Sequence, residues 1–205
     1  AAYDKLVYVG CDAAQSGTFQ GEIILETENK GDINGDGKVS YIMIQGDPEN
    51  IDAQLRTEYS VKALTDAGME VEQLDLQRGD WDRNKGQEIA QNDLAKFGDQ
   101  IEVVFCNNDD MALGIVQSCE ENHISFDTLP VIGVDATDAG CQSIKDGKMA
   151  FTIYQSGSGQ GEYLIKAAAR LAQNQSLEGI KYLSDDQKYV WVPFEKVDKT
   201  NVDQY

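Results

Sequence analysis

An α/β fold, with a doubly wound and mostly parallel sheet covered by helices on both faces, is the class this 205-residue sequence predicts. Three observations lead there. Short apolar runs of strand length alternate with amphipathic segments of helix length almost from end to end. The connections between them are short, as repeated β-α units require. A helical segment such as 51–68 carries one apolar stripe and stops at a glycine, a helix C-cap. Units of this kind build a parallel sheet buried on both sides.

The elements follow in order. KLVYVG (5–10) is a strand, and SGTFQGEIILETEN (16–29) has helical spacing at Phe19, Ile23 and Ile24. A polar loop leads to the strand SYIMIQG (40–46). IDAQLRTEYSVKALTDAG (51–68) aligns Ile51, Leu55, Tyr59 and Ala63 on one stripe. Strand 69–76, helix 82–97, strand 101–106, helix 109–121, strand 130–134, helix 137–146 and strand 149–154 continue the alternation. The last quarter breaks it: an amphipathic helix over 157–175, a polar loop, a strand over 188–197 and an acidic tail. Neither an internal repeat nor a low-complexity linker is present.

A length of 205 residues suffices for one substantial core or two small lobes. Seventeen basic against 36 acidic residues leave a net charge of −19, which repels phosphate backbones and anionic membrane surfaces. Nucleic-acid binding is therefore disfavoured, whereas a secreted or cell-surface solute-handling protein, or one that collects cations, is compatible. No run reaches the roughly 18 apolar residues needed to span a bilayer. No signal peptide is readable, and because residue 1 leads directly into the strand 5–10, the chain reads as part of a longer protein. Cys11, Cys106, Cys119 and Cys141 lack any metal-binding spacing and read as packed free thiols.

In an open α/β sheet, ligands bind beyond the carboxyl ends of the strands. After strand 40–46 come Asn50, Asp52 and Arg56, and after 69–76 comes Trp81 in a loop. Asn107 and Asn108 follow strand 101–106, Asp135 follows 130–134, and Gln155 follows 149–154. Carboxylates accept from hydroxyls, amides donate and accept, a guanidinium donates in a fixed fork, and an indole can lie on the C–H face of a sugar ring. The set describes a pocket for a neutral polyhydroxylated ligand. Plainer readings exist for each residue. Asp52 and Arg56, four apart on a helix, could be a surface ion pair worth about 0.3–0.5 kcal/mol. Asn108, Asp109 and Asp135 could be helix N-caps, and Trp81 could plug a groove. Their shared placement favours the ligand.

DINGDGKVSYIM (32–43) reads as an EF-hand calcium loop without its clamp. Asp32, Asn34 and Asp36 occupy the first, third and fifth positions, Gly37 the turn and Lys38 the carbonyl position. The twelfth position, normally a bidentate glutamate, is Met43. The plainer reading is a solvated Asx-rich turn.

The runs YVGCDAAQSGTFQGE, DINGDGKVS, GDPENIDAQLRTEY, IEVVFCNNDDMALG, VIGVDATDAG and VPFEKVDKTNV resemble bacterial galactose/glucose-binding proteins over essentially the whole chain. These are soluble receptors of sugar ABC transporters, extracytoplasmic (periplasmic or lipid-anchored), with the type I periplasmic-binding fold. The resemblance implies a structural Ca2+ held by Asp32, Asn34, Asp36, the Lys38 carbonyl, Ser40 and, from a distant strand, Glu102. It implies monosaccharide contacts from Asp52, Arg56, Asn108 and Asp135, with Trp81 stacking. Three positions depart from the family: Asn50 stands where it has histidine, Gln155 where it has asparagine, and Ser40 where it has glutamine. The first two line the pocket, so the class of monosaccharide is better defined than its identity.

The resemblance also implies an N-terminal lobe outside this chain. Residues 1–155 with 191–205 would form the C-terminal sugar-binding lobe, and 156–190 would belong to the other lobe. Helix 157–175, with Tyr163, Leu164, Ala167 and Leu171 on its stripe, would then pack on its own lobe in a non-native way or self-associate. Further partners implied are the transporter's permease and a chemoreceptor.

Two other classes fit less well. As an enzyme, the chain offers one histidine, His123, beside no serine or cysteine motif, and in GSGQGE the GxGxxG pattern fails at Glu162. The effector domain of a LacI-type regulator shares the fold, but it would come with a helix-turn-helix and without the calcium loop.

Overall fold

The computed structural model describes residues 5–205. In chain order its elements are β1 (Tyr8–Gly10), α1 (Ala13–Glu26), β2 (Lys38–Gln45), α2 (Ile51–Asp66), β3 (Glu70–Arg78), α3 (Arg83–Phe97) and β4 (Val103–Cys106). There follow α4 (Asp109–Glu121), β5 (Val131–Ile132), α5 (Asp138–Lys145), β6 (Thr152–Tyr154), α6 (Gly157–Ala172), β7 (Tyr189–Trp191) and β8 (Glu195–Val197). They group into two compact units. The larger is Ala13–Tyr154 with Glu195–Tyr205; the smaller is 5–12 with Gln155–Phe194.

A parallel sheet of order β3-β2-β4-β5 organises the larger unit. Bridges from Ile132 to Phe151 and from Asp135 to Tyr154 carry it on to β6, and β8 pairs antiparallel to β6. Successive side chains of a strand point to opposite faces, so β2 and β4 feed two cores. Ile42, Ile44, Val104 and Cys106 pack on Ala90 of α3 and on Met111, Ile115 and Cys119 of α4. Tyr41, Met43, Val103 and Phe105 face Ile24 of α1 and Leu64 of α2. The edge strand β3 exposes Glu70, Glu72, Gln73, Gln77 and Arg78. Such an edge discourages pairing with another chain.

In the smaller unit β1 pairs in parallel with β7. Ala167 of α6 is fully buried with Leu177, Ile180 and Val190, and Tyr163 and Leu171 pack around them with Val7 and Val9. Most of the stripe foreseen for this helix is thus covered within its own unit, while Leu164 remains 55% exposed. The glycine run after Gln155 forms the first turn of α6, capped by Ser156, whose hydroxyl accepts from the Gly159 N–H at 3.1 Å.

Several boundaries differ from the sequence reading by a few residues, the strands 5–10, 130–134 and 149–154 being shorter than expected, and three differences bear on the architecture. The first helix runs Ala13–Glu26 rather than 16–29. The strand expected over 188–197 is two strands, β7 and β8, one in each unit, separated by Val192–Phe194. Pro193 explains the break, because it cannot donate to a ladder and restricts the residue before it. Residues 5–12, expected with the larger lobe, group instead with 155–194, where β1 takes β7 as its neighbour. All four cysteines are free and buried, and burial pushes the Cys119 thiol up to about 12. His123 is exposed just past the end of α4. Among the described residues no helix is long and apolar enough to cross a membrane.

Candidate binding site

Parallel strands place their carboxyl ends along one edge of the sheet, and four of the expected residues meet there. Arg56, on α2, is only 4% exposed. Its Nη1 donates to the Asn107 carbonyl at 2.6 Å and lies 3.9 Å from Asp135 Oδ1. The guanidinium carbon sits 5.8 Å from the centroid of the Trp81 ring. Asn108 Nδ2 donates to the Trp81 carbonyl at 3.3 Å. Arg56, Trp81, Asn108 and Asp135 therefore form one connected group, drawn from α2, the β3–α3 loop, the head of α4 and the segment after β5.

Local features hold each member. Trp81 follows Asp80 through a tight turn in which both residues have positive φ, 51° and 65°. The indole lies over Gly46, where a Cβ would come within 2.3 Å of the ring. Glycine at the end of β2 is what admits the tryptophan. Asn108 caps α4, its Oδ1 accepting from the Met111 N–H at 3.0 Å. Asp135 has φ 121°, far from the usual range of a non-glycine residue. Burial pushes its carboxyl up to about 6, against the pull of Arg56 and with a further push from Asp110.

Asn50 and Asp52 stand at the first turn of α2 and make no hydrogen bond or ion pair with the other four side chains. Asn50 Oδ1 accepts from the Asp52 N–H at 2.7 Å, the cap geometry. Gln155 belongs to the smaller unit. The cap readings divide. Asn108 is a cap, but α5 is capped by Thr137 rather than Asp135, its Oγ1 accepting from the Gly140 N–H at 3.0 Å. Asp109 is the first residue of α4 and turns its carboxyl inward.

One structural residue was visible in sequence only as a member of the strand end. Asn107 is fully buried; its Oδ1 accepts from the Gly46 N–H at 3.0 Å and its Nδ2 donates to Thr57 Oγ1 at 3.2 Å. It ties the β2–α2 connection, and with it Arg56, to the end of β4. An asparagine beside another asparagine gives no sign of which faces inward until the strand's direction is known.

A second polar group lies around the loop before β2. The carboxylates of Asp32, Asp36 and Glu102 come within 4.8 Å of one another. Asp32 Oδ1 accepts from the N–H groups of Gly35 and Asp36 at 2.8 and 3.1 Å, and its Oδ2 from Gly37 at 3.0 Å. Asn34 Oδ1 accepts from the Asp36 N–H at 2.8 Å. Glu102 is 1% exposed and spans the loop, accepting from the Asn34 and Ser40 N–H groups, both at 2.8 Å. Among the described residues no lysine or arginine pairs with any of the three carboxylates; the nearby Lys38 pairs with Glu72. Three crowded carboxylates with an amide oxygen, none of them ion-paired to a lysine or arginine, are a donor set that fits a hard divalent cation.

Comparison with known proteins gives a consistent picture. A family model described as "Periplasmic binding protein domain" matches residues 1–176. The D-galactose/methyl-galactoside binding periplasmic protein of Haemophilus influenzae is 32% identical, over 100% of this chain and 62% of that protein. A ribose import binding protein of Salmonella typhimurium is 28% identical, over 89% of this chain and 57% of that protein. Among solved structures, an ABC transporter solute binding protein from Bacillus halodurans with bound myo-inositol is 28% identical with a TM-score of 0.79, over 97% of this chain and 62% of that one. An ABC transporter periplasmic solute binding protein from Actinobacillus succinogenes with bound D-allose shares the fold, with a TM-score of 0.81 at 22% identity over 97% of this chain and 64% of that one. The chain spans less than two thirds of the length of each of these relatives.

Proposed function

This chain belongs to the periplasmic binding protein family, and on that premise we propose that it supplies one lobe of an extracytoplasmic receptor that delivers a monosaccharide or related cyclic polyol to an ABC transporter. The observation that carries the reading is the joined group of Arg56, Trp81, Asn108 and Asp135 at the carboxyl edge of the sheet. Arg56 and Asn108 offer fixed donors, Asp135 and Asp52 offer acceptors, and the indole offers a flat apolar face. Hydroxyl-rich rings require that combination. The relatives' ligands, galactosides, ribose, allose and myo-inositol, share this chemistry, and Asn50 is the position best placed to select among them.

The larger unit is the sugar-binding lobe in this reading. The smaller unit, of which Gln155 is the first residue after the crossing, belongs to the second lobe that the relatives' greater length supplies. Closure of the two lobes about a hinge buries the sugar and creates the form a permease engages. With half of the contacts, this chain alone binds sugar with roughly millimolar affinity or weaker.

The loop group holds a structural Ca2+ through Asp32, Asn34, Asp36, the Lys38 carbonyl, Ser40 and Glu102. The ion would neutralise the crowded carboxylates and fasten the α1–β2 connection to the residue preceding β4. Serine at position 40 is short, so a water completes that side of the shell.

Calorimetric titration of galactose, glucose, ribose and myo-inositol into the protein expressed from its full reading frame tests the assignment. Saturable binding of at least one, abolished by Asp135→Leu, is the expected result. Flat titrations for all four would sink it.

A further inference from the structure

Asp135 and Ala136 are consecutive non-glycine residues with positive φ, 121° and 53°. Such backbone costs energy and persists only where the surroundings over-determine it. Here the surroundings converge on one buried side chain that touches no candidate ligand position. We propose that Asp109 is the positioning residue of the sugar site, the anchor that holds Asp135 in its strained, ligand-facing conformation. The inference rests on the sugar-binding reading above.

The hydrogen bonds supply the argument. The Asp135 N–H donates to the Ile153 carbonyl at 2.8 Å. The Ala136 N–H donates to Thr152 Oγ1 at 3.2 Å, and that hydroxyl donates to Asp109 Oδ1 at 2.6 Å. The Thr137 N–H and hydroxyl both go to Asp109 Oδ2, at 2.8 and 3.1 Å. Of the three backbone donors in 135–137, the strained pair and the residue after it, two are thus fixed by Asp109 or by the threonine it orients. Thr137 is also the cap of α5, so the same carboxyl fixes where that helix begins. In turn, the Asp109 N–H donates to the Val134 carbonyl at 2.8 Å, binding the head of α4 to the end of β5.

The fold is shaped around this carboxyl. A Cβ at Gly133 would stand 2.2 Å from Asp109 Oδ1, and one at Gly140 would stand 2.3 Å from Oδ2. Asp109 is fully buried. Burial pushes its carboxyl up to about 7, opposed by the hydrogen bonds from Thr152 and Thr137. A buried carboxyl with three donors, enclosed by two glycines, is a larger commitment than a helix start needs, since Asn108 already caps α4. Sequence adjacency then links the roles: Asn108 faces the ligand edge, and Asp109 turns inward to set the opposing wall.

The test uses Thr152→Val, which keeps the side-chain shape and removes the hydroxyl between Asp109 and Ala136, with Asp109→Asn as a second variant and Thr152→Ser as the conservative control. Two quantities are read in the full-reading-frame protein: sugar affinity by calorimetry, and amide hydrogen exchange at Ala136 and Thr137. Thr152→Val and Asp109→Asn are expected to weaken binding at least tenfold and to speed exchange at those amides, while Thr152→Ser recovers both. Faster exchange with unchanged affinity would overturn the proposal, because the anchor would then serve folding alone. Unchanged exchange in a folded Thr152→Val protein would also overturn it. If the unmodified protein binds no sugar, the underlying functional reading falls and takes this one with it; the flat titration of the unmodified protein identifies that case.

Discussion

The loop proposed to hold a cation and the sheet edge proposed to hold a sugar fix their polar side chains in opposite ways. In the loop, most of the proposed ligands lie within nine residues, Asp32 to Ser40, and neighbouring N–H groups of the same turn hold the oxygens of Asp32 and Asn34. At the sheet edge, Arg56, Trp81, Asn108 and Asp135 come from four separate connections, and Asn107, Gly46 and Asp109, outside the proposed ligand set, surround them. The difference teaches where each site is vulnerable. A contiguous site is lost with its ion or its one distant carboxylate, and the loss registers as stability. A dispersed site is lost when any anchor shifts, and the loss registers as affinity.

The largest effect expected from this contrast is on removing the ion. At a calcium concentration about a thousandfold above Kd, binding would stabilise the fold by about 4 kcal/mol. At about 2–4 °C per kcal/mol for a chain of this size, chelation should lower Tm by roughly 10 °C, read by calorimetric melting. Glu102→Gln should melt at the chelated temperature and show no response to calcium. A Tm indifferent to chelator would reduce the loop to a self-satisfied turn and remove the comparison altogether.

Next comes the aromatic wall. Trp81→Ala should weaken sugar binding by about 2 kcal/mol, near 30-fold, with little change in the calcium response. Equal losses in both would mean that the two regions are coupled.

Asn50→Ala separates a cap from a ligand. Loss of the cap alone costs about 1 kcal/mol of stability. If Asn50 also reads the sugar, affinities for different monosaccharides should change relative to one another, and parallel titrations report that ratio.

The smallest and most local test concerns a third acidic cluster, in which a proton takes the part of the ion. Asp93 of α3 is 3% exposed, lies within the electrostatic reach of Asp75 of β3, and has a buried Oδ2 without a partner. Burial first, then the Asp75 charge, push Asp93 up to about 7, with Lys96 opposing. A folded-state pKa above the unfolded one stabilises fully below about pH 4, the unfolded value, and that contribution is lost as pH rises through about 7. Melting scans should therefore show stability declining between those limits, and Asp93→Asn should reduce the slope, leaving the part that Asp109 and Asp135, raised to about 7 and about 6, contribute. An unchanged slope in Asp93→Asn would place the titrating group elsewhere.

How much was legible follows the same division. The loop's spacing, the alternation of strands and helices and the cap chemistry of Asn50 and Asn108 are local, written within a few residues, and could be read directly. Glu102 was reachable only through likeness to a family, because 62 residues separate it from the Ser40 N–H that it accepts from. The split of 188–197 is not legible in periodicity, since apolar residues on both sides of Pro193 continue the strand pattern, and only the proline signals it.

The sequence by itself determined the class of fold, the edge of the sheet where polar side chains gather, and the turn that crowds Asp32 with Asp36. These depend on periodicity and on hydrogen bonds between near neighbours. Tertiary structure alone decided that Asn107 and Asp109 face inward while Asn108 between them meets the Trp81 carbonyl, and that the first strand joins the smaller unit. Those outcomes depend on which strands become neighbours. Pairing across long separations is set by the summed packing of two cores, not by the residues that are paired.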